Sequence, residues 1–170
     1  MKKIAREKFE IRVAHSRSDL AIYYELHRAT HQRSGRPAHE FVYYEHIYDR
    51  FVSRGLCRVV FFIQRGEILA AHNTVIFKGG AHYWTAASKL AKANGANRAL
   101  MDEQIMFAKH AGCDWFEAGE AFPQLVDGKY KGISDYKKNW GSALYPFYKG
   151  RTVTWPKLRL ALDLLQALRG

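Results

Sequence analysis

The chain has 170 residues, of which 48% are hydrophobic and 14% aromatic, so a disordered polypeptide is excluded. One domain of this length can bury about two-thirds of its unfolded surface. The formal net charge of +11 favours a polyanionic partner: nucleic acid, a phosphate-bearing substrate or cofactor, or an anionic membrane surface. Two cysteines, Cys57 and Cys113, indicate a reducing compartment. Because the sequence shows no signal peptide or transmembrane span, we expect a cytoplasmic protein.

The first 55 residues predict one strand and two helices. The stretch KFEIRV at residues 8–13 alternates in polarity, as a strand does. Residues 16–35 open with serines and an aspartate and then repeat at helical spacing, with Leu20, Tyr23, Leu26 and Thr30 on one face. We expect a second helix that has Pro37 in its first turn and carries a stripe of Phe41, Tyr44, Ile47, Tyr48 and Phe51.

The middle and end of the chain predict a meander, a crossover and a last strand. Three strands at 57–64, 67–77 and 81–88 are joined at the turn pairs RG (65–66) and GG (79–80). They are followed by a helix capped by Asn97, a strand at 114–119, a loop at 120–131, a short helix within 132–141, an aromatic strand at 143–148 and a final amphipathic helix from Pro156. The order β-α-α-β-β-β-α-β-α-β plus a C-terminal helix predicts one α/β (α+β) domain over residues 1–170. Its sheet is mixed, mostly antiparallel and flanked by helices.

Three stretches of the sequence carry a family resemblance. They are YYELHRATHQRSGRP (23–37), the segment from YWTAASKLAKANGAN to DWFEAGE (83–120), and GISDYKKNWG (132–141). Together with the element order, they make the chain similar to the GNAT (N-acetyltransferase-like) fold. The stretches themselves resemble the FemAB-like branch of that superfamily, in which a turn of the form G-I-x-x-F-K-x-x-F-G recurs near the C-terminus. Here its aromatic positions are Tyr136 and Trp140, and its lysine is Lys137.

The resemblance implies acyl transfer to an amine. FemAB-like enzymes take an aminoacyl group from aminoacyl-tRNA and add it to peptidoglycan precursors, whereas single-domain relatives are expected to use acyl-CoA. The acceptor would be an amine-bearing small molecule or a cell-wall precursor. The peptidoglycan enzymes have two such domains and this chain predicts one. The acyl group, the acceptor, the choice between the two donors and the oligomeric state stay open.

The junction between the third strand of the meander and the next helix is the expected donor site. Backbone N–H groups at a helix N-terminus favour phosphate, and glycine permits close approach. KANGAN approximates the pyrophosphate loop of the superfamily, with Lys92 where Gln or Arg is usual. A capped loop without a ligand is the alternative. The expected donor-binding residues are Lys92, Asn94, Gly95, Ala96, Asn97 and Arg98.

Three side chains are candidates for the chemistry. On the short helix, Ile133, Tyr136 and Trp140 share a face, and Lys137 at its border could stabilise an oxyanion or hold a phosphate, or simply be solvated. Glu117, at the end of a strand, could deprotonate or orient the acceptor ammonium; alternatively the proton leaves through water and Glu117 pairs with a lysine. By resemblance, Tyr145 would protonate the leaving thiolate. Expected substrate contacts are Tyr83, Trp84, Thr85, Glu120 and Tyr136.

Other functions fit parts of the sequence. His27 and His31 have the i, i+4 spacing of a zinc pair but no third ligand, so we expect polar rim or substrate-contact residues and no metal site. A basic surface with exposed aromatics could instead make a non-catalytic tRNA- or RNA-binding module, and the chain could be one half of a split two-domain transferase. The segment WPKLRLALDLLQALRG could lie on a membrane surface, although packing on the sheet or on a twin subunit is the interpretation we favour.

Overall fold

A computed structural model describes residues 8–89 and 95–148 of the chain. These residues fall into two compact units that divide after Phe122, and the prediction of a single domain over 1–170 stays a prediction. The first unit contains β1 (Phe9–Val13), α1 (Arg17–Arg33), α2 (Phe41–Ile47), β2 (Cys57–Gln64), β3 (Glu67–Phe77), β4 (Gly80–Ser88), α3 (Ala96–His110) and β5 (Trp115–Glu117). The second contains α4 (Gly128–Lys138).

The sheet has five strands in sequence order, β1-β2-β3-β4-β5. The first four pair antiparallel, while β4 and β5 pair parallel because α3 carries the chain back between them. The predicted fold class, a mixed and mostly antiparallel sheet flanked by helices, is confirmed.

Both faces of the sheet are covered, because successive strand residues point to opposite sides. Val59 and Phe61 pack with Tyr23 and Leu26 of α1, in a cluster that also holds Tyr44 of α2. On the other face, a second cluster joins Val60, Phe62, Leu69 and Ala70 to Ala96 and Leu100 of α3. The predicted apolar face of α1 is thus part of the core. Cys57 is buried, Cys113 is half-buried, and both thiols are free.

Asp19 fixes the start of α1. Its carboxylate accepts hydrogen bonds from the His15 N–H and the Ser16 hydroxyl, both at 3.0 Å, and Arg12 donates to it at 2.6 Å. In return the Asp19 N–H donates to the Ser16 hydroxyl. Burial raises the pKa of Asp19, but these hydrogen bonds and the Arg12 charge outweigh it and lower the pKa below its ordinary value. The serine predicted to cap this helix is therefore its N-cap, and Asp19 returns the interaction through the hydroxyl of Ser16 and the N–H of His15.

The second helix differs from its prediction at both ends. It begins at Phe41, beyond Pro37, and continues past Ile47 as a π-helical turn over Tyr48–Val52. The wider π turn rotates later residues off the 3.6-residue repeat, so Phe51, predicted in the apolar stripe, is 38% exposed.

The C-terminal part holds two further corrections. Residues 142–148, where a strand was predicted at 143–148, have no regular secondary structure. Pro146 cannot donate to a strand ladder, and the neighbouring Tyr145 and Tyr148 are exposed. The short helix α4 begins at Gly128, so it takes in the end of the predicted 120–131 loop. The predicted helix from Pro156 lies outside the described residues.

Candidate active site at the β4–β5 junction

The β4 and β5 strands pair over three positions only. Gly80, Ala81 and His82 are opposite Trp115, Phe116 and Glu117, and β5 then ends. β4 continues to Ser88 with β3 on one side, and no described strand pairs with its other side beyond His82. The strand predicted at 114–119 is β5, and it is the edge of the described sheet because it is the last strand in the order.

A β-bulge lies directly after this junction. Asn73 is opposite Thr85 and Thr74 is opposite Tyr83, which leaves Trp84 as the extra residue of β4. A bulge bends a strand and redirects its side chains, and bulges are common next to active sites. The three β4 residues predicted to contact substrate therefore form the bulge.

A buried polar cluster anchors the bulge to α1. The hydroxyls of Tyr23 and Thr85 lie 2.5 Å apart, and Asn73 Nδ2 donates to Thr85 Oγ1 at 3.1 Å. His27 Nδ1 is 3.4 Å from the Tyr23 hydroxyl. Burial raises the pKa of Tyr23 far above its ordinary range, and burial, then the neighbouring His31 and His39, lowers the pKa of His27 to about 4. The cluster is thus uncharged at neutral pH.

His27 differs from its prediction as a rim residue, because it is only 2% exposed. Its Nε2 atom and Asn73 Oδ1 are both buried and make no hydrogen bond within the described part of the chain. Among the same residues there is no group of three or more histidine, cysteine, aspartate or glutamate side chains suited to a metal ion.

The expected donor site is described from Gly95 onward, and Lys92 and Asn94 lie outside the described residues. Gly95, with φ at 81°, is the N-cap of α3, and the helix begins at Ala96. The prediction that Asn97 caps the helix is therefore wrong: a left-handed cap residue favours glycine, and Asn97 falls in the first turn. No acidic residue lies in that turn, so the positive helix end is not neutralised there.

Asn97 instead connects α3 to the sheet. Its Oδ1 atom lies 3.2 Å from Nε2 of His72 on β3. Burial lowers the pKa of His72 to about 4, against a smaller raising effect of the Asn97 hydrogen bond. The Nδ1 atom of His72 is buried and makes no hydrogen bond with any described residue.

Glu117 ends β5 and pairs with a histidine. Its Oε2 atom is 2.6 Å from Nδ1 of His82, the last β4 residue opposite β5. The partner of Glu117 is therefore a histidine and not the lysine considered as an alternative. Sequence reasoning did not connect His82 with Glu117, because a register between strands distant in sequence leaves no local signal. Glu120 follows β5 and is exposed.

The remaining candidates belong to the second unit. Tyr136 and Trp140 of the α4 region contact each other edge to face, with ring centroids 6.3 Å apart, as their shared face predicts. Lys137 is half-buried and the adjacent Lys138 is exposed. Tyr145 is 83% exposed and lies in irregular structure rather than a strand. The catalytic roles of Lys137 and Tyr145 stay predictions.

Several solved structures are similar to this chain, among them two acetyltransferases. FemX has 13% sequence identity and a TM-score of 0.70, over 81% of this chain and 51% of FemX, so the chain spans about half the length of FemX. A predicted acetyltransferase with acetyl-CoA from Clostridium acetobutylicum has 12% identity and a TM-score of 0.64, over 85% and 96% of the two chains. An aminoglycoside N-acetyltransferase in complex with CoA has 11% identity and a TM-score of 0.61, over 86% and 97%. Such low identities show the fold alone.

The family assignment comes from the sequence. No curated protein matches the chain. Within the described residues, no helix has both the length and the apolar character to cross a bilayer. A family model described as the acetyltransferase (GNAT) domain matches residues 1–138, which is more than half of the chain. The chain therefore belongs to the GNAT acetyltransferase-domain family.

Proposed function

We propose that the chain is an N-acyltransferase that moves an acyl group from a CoA thioester to an amine. The observation that carries this proposal is the free edge of β4: beyond His82, no described strand pairs with the side of β4 that faces away from β3. The chain then runs from the end of β4 toward the N-terminus of α3. The amides of an extended pantetheine arm could hydrogen bond to such a strand edge. A diphosphate is favoured at a helix N-terminus, where Gly95 to Arg98 would hold it.

The acceptor would approach the bulge at Tyr83, Trp84 and Thr85. Its ammonium must lose a proton before it attacks, and in this proposal Glu117 serves the deprotonation or orients the ammonium for it. The role predicted for Lys137 of the second unit, to stabilise an oxyanion or a phosphate, is a separate proposal that substitution of this lysine tests. The proposed acceptor is an amine-bearing small molecule or a cell-wall precursor. The proposed compartment is the cytoplasm, and cell fractionation tests this location.

Aminoacyl-tRNA is the second candidate donor. The net charge of +11 and the likeness to the FemX fold favour it. It would assign the chain to the FemAB-like branch, either alone or as one half of a two-domain transferase.

Thermal shift measurements with CoA, acetyl-CoA and longer acyl-CoAs test the proposal. A ligand at about a hundred times its dissociation constant adds roughly 2.7 kcal/mol to the free energy of unfolding, which raises the melting temperature by several degrees. Arg98→Ala should reduce the shift, while Arg54→Ala, a matched change of an exposed arginine outside the site, should preserve it. If no CoA thioester shifts the melting temperature, acyl-CoA is refuted as donor, and charged tRNA is tried next. Salt-dependent binding of RNA without transfer would indicate a binding module.

Acyl transfer is then measured as thiol release from acetyl-CoA with a panel of amines. The panel contains an aminoglycoside, a peptide with a free N-terminal alanine, and poly-L-lysine. Turnover with one of them identifies the acceptor class.

A further inference from the structure

The imidazole of His82 is held by two neighbours on β5. Nδ1 lies 2.6 Å from Glu117 Oε2, and the ring meets Trp115 edge to face with centroids 4.7 Å apart. Within the described part of the chain, His82 makes no other side-chain hydrogen bond or ring contact, so its Nε2 atom has no hydrogen-bond partner among those residues. Since a carboxylate only accepts hydrogen bonds, Nδ1 carries the proton and Nε2 of the neutral ring keeps its lone pair.

Gly80 secures the orientation of this pair. A Cβ atom on Gly80 would lie 2.1 Å from the Trp115 ring, so the indole can pack on the strand only where residue 80 has no side chain. Trp115 in turn contacts His82, two residues further along β4. The imidazole is therefore held by the Glu117 carboxylate and the Trp115 indole together.

His82 also differs from the other strand and helix histidines near the bulge. His27 and His72 are 2% and 0% exposed, and burial lowers the pKa of each to about 4, so both stay neutral and enclosed. The side chains of His82 and Glu117 are 31% and 54% exposed. The His82 side chain is therefore accessible to solvent, and His82 lies on β4 directly before the bulge, where the unpaired edge begins.

We propose that Nε2 of His82 accepts the proton of the acceptor ammonium, with Glu117 as the positioning residue. The inference rests on the proposed function and changes the expected role of Glu117 from base to partner of the base. A general base needs a lone pair within reach of the proton and an orienting group behind it. Once protonated, the imidazolium is stabilised by the Glu117 carboxylate through a charge-assisted hydrogen bond.

The step balances as follows. The ammonium gives one proton to Nε2, and the neutral amine attacks the thioester carbonyl carbon, forming the N–C bond. The C–S bond breaks and the sulfur leaves as thiolate. The second proton lost by the nitrogen goes to that sulfur, so the products are an amide, a free thiol and one proton that His82 releases to solvent.

The tautomer of His82 is the first test and needs no substrate. Nitrogen-15 NMR of histidine-labelled protein should show Nδ1 protonated and Nε2 unprotonated in the neutral ring, with the signal assigned by its loss in His82→Asn. Glu117→Ala should shift that tautomer balance. A neutral ring with the proton on Nε2 would overturn the inference.

The second test is thiol release from acetyl-CoA with the amine panel. General-base catalysis contributes about 10²–10⁴-fold, so His82→Ala should lower kcat/KM at least a hundredfold while the acetyl-CoA thermal shift persists. Added imidazole should restore part of the rate, and Glu117→Gln should lower it less than His82→Ala. His46→Ala, a change of an exposed histidine on α2, is the control and should keep the wild-type rate.

A His82→Ala protein with wild-type turnover, or a loss that imidazole does not restore, would overturn the proton role. Wild-type protein that binds acetyl-CoA but acylates no amine would refute the proposed function and with it the proton transfer. The tautomer measurement would then still decide whether His82 pairs with Glu117. A failure of the proposed function can therefore be distinguished from a failure of the proton role of His82.

Discussion

The Thr85 hydroxyl holds two buried side chains at once, the Tyr23 hydroxyl at 2.5 Å and the Asn73 amide at 3.1 Å. Thr85→Val keeps the shape of the side chain but removes this oxygen. Asn73 Nδ2 then loses its hydrogen-bond acceptor, and Tyr23 keeps only the 3.4 Å contact with His27. An unsatisfied buried group costs about 1–3 kcal/mol, so we expect a loss of roughly 3 kcal/mol in the free energy of unfolding. For a chain of this length the melting temperature should fall by about 6–12 °C.

Thr74→Val is the matched control for this prediction. Thr74 is also a threonine of the sheet, fully buried, but its hydroxyl makes no hydrogen bond within the described residues. Removing that oxygen also removes its desolvation penalty, so stability should change by less than about 1 kcal/mol or increase. Urea unfolding of both variants, and of Tyr23→Phe combined with Thr85→Val, measures the difference and the coupling. An equal cost for the two valines would refute the account of the cluster.

Three further predictions concern other parts of the chain. Lys137→Ala should lower turnover at least tenfold without unfolding the protein, whereas the adjacent exposed Lys138→Ala should leave it near wild type in the thiol-release assay. Gly80→Ala should lower the urea midpoint because the new Cβ meets Trp115 at 2.1 Å, and the added Trp115→Ala change should relieve part of that loss. Burial holds the pKa of His72 at about 4 against an ordinary 6.5, so unfolding free energy should fall as pH drops from about 6.5 to about 4, by at most roughly 3 kcal/mol. His72→Gln should flatten that slope in urea titrations, and an unchanged slope would contradict the assignment.

The parts of the fold predictable from sequence are those in which burial imposes a local repeat. The stripe of Leu20, Tyr23 and Leu26 is buried on α1 because a helix returns to the same face every three or four residues. The β2 and β3 boundaries agree with the prediction, because tight turns punctuate the apolar runs. Where the local signals conflicted, at residues 143–148, the aromatic run suggested a strand although Pro146 argues against one.

The site was harder to predict because it depends on register. Glu117 could be named as a strand-end acid, but its partner His82 is 35 positions away, on a strand brought beside it by α3. The Trp84 bulge is equally invisible, since the β3 partner residues determine which residue of β4 is extra. Gly80 carried a turn signal in the sequence, whereas its role in seating Trp115 follows only from the packing.

The strand order also has a consequence for folding. β2, β3 and β4 are joined by short turns and can form a hairpin meander early, because little chain entropy is lost in closing them. β5 must wait for α3 to cross the sheet and then adds only three paired residues. Its amides should therefore exchange with deuterium sooner than those of β3, and the carboxylate that orients His82 lies on the segment that detaches most readily. A ligand bound along β4 and β5 would slow this exchange, which makes the protection of Trp115, Phe116 and Glu117 a direct reporter of site occupancy.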